Sequence, residues 1–281
     1  MSAQLDDIIA RALVEDAPWG DITSEAFLPA GARASAVLEA REPGVLSGGA
    51  VLARVFELVD AATIVEPELG DGESFPAGAV LARVEGSARA VLRAERVALN
   101  LVQRMSGIAT LTSRYVAAVA GTGARIVDTR KTTPGLRVLE RQAVRDGGGR
   151  NHRFSLSDAV MAKDNHLAVL AAAGVPIGDA IRAARARIGH TVHLEVEVDR
   201  LDQVEEVVAA GVDTIMLDNF GVEQLRAGVA LVAGRALVEA SGGVNLDTVR
   251  AIAETGVDII SVGALTHSVR ALDLGLDVTV G

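Results

Sequence analysis

The pattern of apolar and polar positions changes along the chain. Residues 1–15 carry their apolar side chains on one face, which predicts an amphipathic helix. From residue 34 to residue 90, short apolar runs alternate with turns rich in glycine and proline, which predicts a small strand-rich layer with one helix near residues 50–59. Residues 88–120 then predict a long helix, interrupted at Ser106-Gly107.

The second half of the chain alternates short apolar runs with helical patterns. The runs predict strands at residues 124–129, 159–162, 191–198, 214–217, 236–239 and 259–262. The helical patterns lie at residues 136–144, 177–188, 201–210, 222–232 and 246–254. Such alternation implies right-handed crossovers and a parallel sheet. Polar residues cluster where the strands end, which is typical of an α/β barrel, here with about six strands instead of eight. An open doubly wound sheet is the alternative, but its glycine-rich fingerprint after the first strand is missing.

Composition narrows the classes of function. The net charge of −10 and the aromatic content of 2% argue against nucleic-acid binding. The chain has no cysteine, which excludes disulfides, zinc–thiolate sites and thiol catalysis. Its first residues do not resemble a signal peptide, and no uncharged apolar run approaches the roughly 20 residues that span a bilayer. We therefore expect a cytoplasmic protein that acts on neither nucleic acid nor membranes.

Lysine is rare and localised. The sequence has 25 arginines but only two lysines, Lys131 and Lys163, and each follows a predicted strand. Lysine is a compact point charge on a slim stem and can approach a phosphate end-on, whereas arginine is a planar fork. These two positions therefore tolerated lysine or needed it.

Five cationic side chains leave the early predicted strands and their loops. They are Arg130, Lys131, His152, Arg153 and Lys163. Positive charges that converge in one pocket repel each other unless an anion lies among them. The pattern therefore predicts a pocket for several anionic groups.

Two carboxylates, Glu197 and Asp218, end neighbouring strands on the opposite part of the rim. Carboxylates at this place suit sugar hydroxyls, a divalent cation or a developing positive charge. Glu195 shares the face of Glu197, because residues two apart on a strand point the same way. The pattern leaves open which of the two glutamates faces the ligand.

Glycine-rich turns follow the last two predicted strands, at Ser241-Gly242-Gly243 and Val262-Gly263-Ala264. Backbone N–H groups in such turns form a phosphate cradle in α/β barrels. The cationic pocket, the carboxylate pair and the cradle together fit a phosphorylated sugar with a second anionic substrate.

These residues belong to a longer set of motifs that resembles the quinolinate phosphoribosyltransferase family from about Gly20 to Asp277. The motifs are Glu95-Arg96, Asn100, Ser106–Thr110, Asp128–Arg137, Gly147–Arg153, Lys163–His166, Glu195–Asp199, Leu217–Asn219, Glu239–Val244 and Ser261–His267. The resemblance implies an N-terminal α/β sandwich domain over residues 1–107 and an incomplete α/β barrel over residues 108–281. It also implies a homodimer in which one subunit closes the site of the other, with Arg96 supplied across the interface.

The resemblance further implies the reaction and the roles of the residues. The family converts quinolinate and phosphoribosyl pyrophosphate into nicotinate mononucleotide, CO2 and pyrophosphate, with Mg²⁺ and no organic cofactor. The implied catalytic residues are Lys131, Lys163, Glu197 and Asp218. The implied substrate-binding residues are Arg96, Thr129, Arg130, Lys131, His152, Arg153, Lys163, Glu197, Asp218, Ser241, Gly242, Gly243, Val262, Gly263 and Ala264. Glu197, not Glu195, matches the glutamate that pairs with Asp218 on the ribose hydroxyls and the metal.

Three other functions compete with this one. A relative in molybdenum-transport operons shares much of the framework, but the Lys163–His166 segment favours the quinolinate enzyme. Nicotinate phosphoribosyltransferase handles a monocarboxylate, which does not require so many cations. A non-enzymatic anion-binding protein explains the cations but gives Glu197 and Asp218 no role.

Overall fold

The computed structural model describes residues 3–280, and it shows a mixed α/β protein. The helices are α1 (Ala3–Asp16), α2 (Ile22–Phe27), α3 (Gly49–Val59), α4 (Ala88–Ala118), α5 (Arg137–Asp146), α6 (Asp164–Ala172), α7 (Ile177–Arg187), α8 (Val204–Ala209), α9 (Val222–Val232), α10 (Val249–Ala253) and α11 (Ala264–His267). The strands are β1 (Arg33–Ala40), β2 (Gly44–Val45), β3 (Ile64–Pro67), β4 (Ser74–Phe75), β5 (Val80–Ser87), β6 (Arg125–Val127), β7 (Val160–Ala162), β8 (Leu194–Val198), β9 (Thr214–Asp218), β10 (Leu237–Ser241), β11 (Ile259–Ser261) and β12 (Leu274–Val280).

The chain divides into two compact units. The first consists of Met1–Ser113, Thr132–Gly148 and Leu265–Gly281, and the second of Arg114–Lys131 and Gly149–Ala264. The domain boundary expected between residues 107 and 108 falls within α4, and it stays a prediction.

The first unit contains an antiparallel sheet with the strand order β12-β1-β5-β3. β1 alternates between exposed or half-buried and buried positions, with Ala34, Ala36 and Leu38 on its buried face. This period of two gives the sheet one apolar face. β12 pairs with β1 along seven residues, so a strand that ends at residue 280 completes a sheet that begins near residue 33.

The second unit contains six parallel strands in the order β6-β11-β10-β9-β8-β7. β8 is buried at all five positions, as expected for a strand covered on both faces. β6 and β7 are the two edges, and within residues 3–280 no named strand joins one edge to the other. The segment around Arg150 lies beside β6, where its N–H donates to the carbonyl of Ile126 at 2.9 Å. The predicted fold class, an N-terminal α/β sandwich domain followed by an incomplete α/β barrel of about six parallel strands, is confirmed: the first unit has an antiparallel sheet and the second has six parallel strands.

The interruption expected in the long helix is wrong, because α4 is continuous over 31 residues. Ser106 directs its hydroxyl to the backbone of Ser47, accepting from the N–H at 3.1 Å and donating to the carbonyl at 3.2 Å. At Gly107, an added Cβ would lie 2.2 Å from the carbonyl oxygen of Arg270. The glycine therefore permits a close backbone approach and does not end the helix.

In the part of the chain that the structure describes, no single helix combines the length and apolar character needed to cross a membrane. The helix pair α6 and α7 together has the length and composition of a membrane span, but the two helices are bent by 110° relative to each other.

We expect Gly107→Ala to destabilise the protein although alanine is the better helix former. The added methyl group would collide with backbone, and such overpacking costs about 1–3 kcal/mol. Urea unfolding measures the loss. The matched control is Gly123→Ala, where an added Cβ meets nothing within 4 Å, and its unfolding free energy should change by less than about 0.5 kcal/mol. A Gly107→Ala variant as stable as the parent would contradict this account of the helix.

Candidate functional site

A cavity of about 390 Å³ opens at the carboxyl ends of the parallel strands. All of its lining residues belong to the second unit. They are Thr129, Arg130, Lys131, His152, Arg153, Met161, Lys163, Glu197, Met216, Asp218, Glu239, Ser241 and Ser261. The sequence-predicted cations and both predicted carboxylates of this unit therefore lie around one space.

The cationic side of the cavity is built by the residues after β6 and before β7. The N–H of Lys131 donates to the hydroxyl of Thr129 at 3.1 Å, and Arg153 donates from Nη1 to the carbonyl of Ala159 at 3.0 Å. Nε of Arg130 is buried without a protein partner. Burial lowers the pKa of Arg153, and the neighbouring charge of Arg130 lowers it further. Positive charges this close together repel each other, and a bound anion would offset that repulsion.

The segment that carries His152 and Arg153 is held in place by Asp128. This carboxylate is fully buried at the end of β6. It accepts from the N–H of His152 at 2.7 Å and from the amide of Asn151 at 2.6 Å. Sequence reasoning gave Asp128 no separate role, although an acidic residue directly after a buried strand is a signal for such a role.

The acidic side of the cavity contains Glu197 and Asp218. Oε2 of Glu197 accepts from the ammonium group of Lys163, and Oδ2 of Asp218 accepts from the amide of Asn219 at 2.6 Å. Each carboxylate keeps its second oxygen outside these bonds. Charged oxygens of this kind can accept from sugar hydroxyls or bind a hard cation.

A second group of acidic residues surrounds His152. Its Nε2 lies 3.2 Å from Glu195 and 3.3 Å from Glu239, and both carboxylates are almost completely buried. Burial lowers the pKa of His152, but the two carboxylates outweigh burial and raise it to about 10. Burial raises the pKa of Glu195, with Glu239 adding to the rise and His152 opposing it. The three groups lie within 4.8 Å of one another, as metal ligands would, but the protonated imidazole already supplies a positive charge.

Four lining residues were not among the predicted site residues, although two of them, Glu239 and Ser261, begin motifs named above, and all four share one position relative to a predicted residue. Met161, Met216, Glu239 and Ser261 each lie two residues before a predicted strand-end residue, namely Lys163, Asp218, Ser241 and Gly263. Side chains two apart on a strand point to the same face, one layer deeper. The two-residue spacing was therefore the signal in the sequence that could have identified these four residues.

Several predicted site residues are not among those that line the cavity. They are Arg96, Gly242, Gly243, Val262, Gly263 and Ala264. Gly242 and Gly243 both have left-handed backbone, with φ of 89° and 62°. Arg96 belongs to the first unit, where its side chain is 58% exposed and lies 4.0 Å from Glu95. Their roles stay predictions.

Comparison with known proteins agrees with this geometry. The C-terminal domain model of quinolinate phosphoribosyl transferase matches residues 108–277, and the N-terminal domain model matches residues 21–106. The nicotinate-nucleotide pyrophosphorylase [carboxylating] of Mycobacterium leprae is 46% identical, over 97% of this chain and 96% of that protein. A probable enzyme of the same name from Bacillus subtilis is 42% identical, over 99% and 94%. The crystal structure of NadC from Streptococcus pyogenes superposes with a TM-score of 0.94 at 43% identity, covering 99% of this chain and 97% of that one. This protein therefore belongs to the quinolinate phosphoribosyltransferase family.

Proposed function

We propose that this protein transfers the phosphoribosyl group of phosphoribosyl pyrophosphate to quinolinate, with decarboxylation, in the biosynthesis of NAD. The products are nicotinate mononucleotide, CO2 and pyrophosphate. The observation that carries the proposal is the division of one cavity into a cationic side with Arg130, Lys131 and Arg153 and an acidic side with Glu197 and Asp218. Two substrates of different charge distribution fit such a cavity.

The cationic side binds the anionic groups. Quinolinate is a dicarboxylate, and the guanidinium groups of Arg130 and Arg153 offer the planar donors that suit carboxylates. His152 adds a further positive charge to the lining of the cavity, since its raised pKa keeps the imidazole protonated at neutral pH. Lys131 and Lys163 supply point charges for quinolinate or for the departing pyrophosphate. Anion binding also relieves the repulsion between these cations.

The acidic side stabilises the sugar. When pyrophosphate leaves, positive charge develops on the ribose ring, and carboxylates fixed nearby stabilise that charge. Glu197 and Asp218 accept from the ribose hydroxyls in this proposal. The glycine turn after β10 holds the 5′-phosphate with backbone N–H groups.

The pyridine nitrogen of quinolinate then attacks the anomeric carbon. The nitrogen becomes positively charged, and it draws the electron pair from the bond to the adjacent carboxylate, which departs as CO2. A proton then replaces the lost carboxyl group at that carbon. Orientation of the two substrates supplies much of the rate, because a bimolecular step becomes effectively unimolecular.

Mg²⁺ fits the donors on the acidic side. Glu197 and Asp218 each keep one carboxylate oxygen outside the hydrogen bonds described above, and Mg²⁺ prefers one or two carboxylates together with substrate phosphates and waters. We therefore propose that these two residues hold the ion, through substrate or water. The bound ion would neutralise charge on the pyrophosphate group.

The proposal includes a homodimer and a cytoplasmic location. Arg96 is exposed on α4, and an exposed cation is free to act across a two-fold interface, where each subunit would supply one such arginine to its partner. The cysteine-free composition is compatible with a reducing compartment.

The first test is turnover. Purified protein should release CO2 from carboxyl-labelled quinolinate only when phosphoribosyl pyrophosphate and Mg²⁺ are both present, and chelation of the metal should stop the release. Nicotinate serves as the competing substrate because it has one carboxylate. Faster use of nicotinate would assign the cavity to a nicotinate phosphoribosyltransferase, and anion binding without any turnover would assign it to a non-enzymatic anion-binding protein.

The second test separates the two sides of the cavity. Glu197→Gln and Asp218→Asn should lower kcat by about a hundredfold or more, because each removes charge that stabilises the transition state. The dissociation constant of quinolinate should change less than about threefold in both variants. Steady-state kinetics and titration calorimetry measure the two effects. Glu195→Gln is the control that shares the strand face, and a larger loss of kcat there than in Glu197→Gln would reverse the assignment.

The third test concerns Arg96. Arg96→Ala and Lys163→Ala should each be inactive, and refolding the two variants together should restore activity. In a mixed dimer one site lacks both groups and the other keeps both, so a random 1:1 mixture should regain about a quarter of the parent activity.

Arg93→Ala is the matched control, because Arg93 is exposed one turn earlier on the same helix, and it should remain active alone. If mixed dimers form but stay inactive, Arg96 does not act on the partner's site.

A further inference from the structure

The residue after β9 has an unusual backbone. Asn219 lies in the left-handed region, with φ of 59°. Among residues 3–280 the only other non-glycine residue there is Ala233, which ends α9. Left-handed backbone costs free energy for any residue with a side chain, although asparagine tolerates it better than most. A glycine would fit this backbone with less strain.

Asn219 makes two hydrogen bonds at the rim of the cavity. Its amide Nδ2 donates to Oδ2 of Asp218 at 2.6 Å, and its backbone N–H donates to the carbonyl of Ser241 at 2.8 Å. Asp218 and Ser241 are already opposite each other in the register of β9 and β10. The second bond therefore continues this pairing by one residue, beyond the end of both strands.

The side chain of Asn219 also lies against the glycine turn after β10. A Cβ on Gly242 would lie 2.1 Å from Oδ1 of Asn219 and 2.6 Å from its Cγ. Gly242 has φ of 89°, so the turn needs glycine for its backbone and for the space that the asparagine takes. One amide thus contacts both the carboxylate and the turn.

We propose that Asn219 is a positioning residue that fixes Asp218 and the Ser241–Gly243 turn relative to each other, so that both engage the same phosphoribosyl group. The inference rests on the function proposed above. The amide suits this role chemically, because it has the N–H donor that Asp218 requires and no charge that would repel it. An aspartate has nearly the same shape but would place a second negative charge beside the first.

The decisive variant is Asn219→Gly, which keeps the left-handed backbone accessible and deletes the amide. We expect kcat/KM for phosphoribosyl pyrophosphate to fall about tenfold to a hundredfold, the usual effect of losing a residue that orients a functional group. The dissociation constant of quinolinate should change less than about twofold. The thermal midpoint should equal or exceed that of the parent, since glycine relieves the backbone.

Two further variants complete the experiment. Asn219→Asp retains tolerance of the backbone but loses the donor, so it should lose at least as much kcat/KM for phosphoribosyl pyrophosphate as the glycine variant. Ala233→Gly is the matched control, because it relieves the same backbone strain at the end of helix α9 instead of at the end of a strand, and its kinetics should equal those of the parent.

The outcomes are distinguishable. Parent-like kcat/KM for phosphoribosyl pyrophosphate in Asn219→Gly would overturn the inference. Equal losses for both substrates together with a lowered thermal midpoint would also overturn it, because they indicate a purely structural residue. If the glycine variant does not fold, the aspartate variant decides, by the same comparison of the loss for phosphoribosyl pyrophosphate with the loss for quinolinate. Absence of turnover in the parent protein would instead refute the proposed function, and the inference with it.

Discussion

The two-residue period of a β-strand is the constraint on which the site depends. Parallel strands bring their carboxyl ends to one edge, and alternate side chains on each strand point to the same side. Lys163, Glu197 and Asp218 therefore form an upper layer at the rim. Met161, Glu195 and Met216 occupy the positions one step below on the same three strands. The register that pairs β9 with β10 consequently also places the site residues Asp218 and Ser241 opposite each other.

The cations at the rim of the site lie above acidic residues in the layer below. These acidic residues stabilise the partly buried cations of the rim. The rim contains Arg130 and Arg153, whose mutual repulsion lowers the pKa of Arg153 in addition to the effect of burial. The layer below contains Glu195 and Glu239, whose charges would be costly to bury alone. His152 lies between the two carboxylates and is stabilised in its charged form by them. Acidic residues beneath a cationic rim thus reduce the electrostatic cost before any substrate binds.

The sequence predicted the features that depend on local periodicity. The six parallel strands and most of their helices follow from apolar runs and turn signals, and the strand-end residues follow from those strands. Features that depend on distant parts of the chain could not be predicted in this way. Gly107 suggests a helix break until Arg270 is known to lie against it. The residues of the lower layer could have been predicted from the two-residue period of the strands. The pairing of His152 with Glu195 could not, because it depends on the path of the loop between α5 and β7.

The pairing of β12 with β1 has a consequence for how the protein is made. Arg41 forms an ion pair with Asp277, 236 residues further along the chain, and the backbone ladder beside it joins the same two segments. On the ribosome, β1 emerges early and then has one edge without its eventual neighbour until β12 has been synthesised. The parallel sheet of the second unit is complete by residue 261, so it can form first during translation. An exposed strand edge attracts other chains, and the nascent protein is therefore vulnerable to association with its neighbours during the interval before β12 is released.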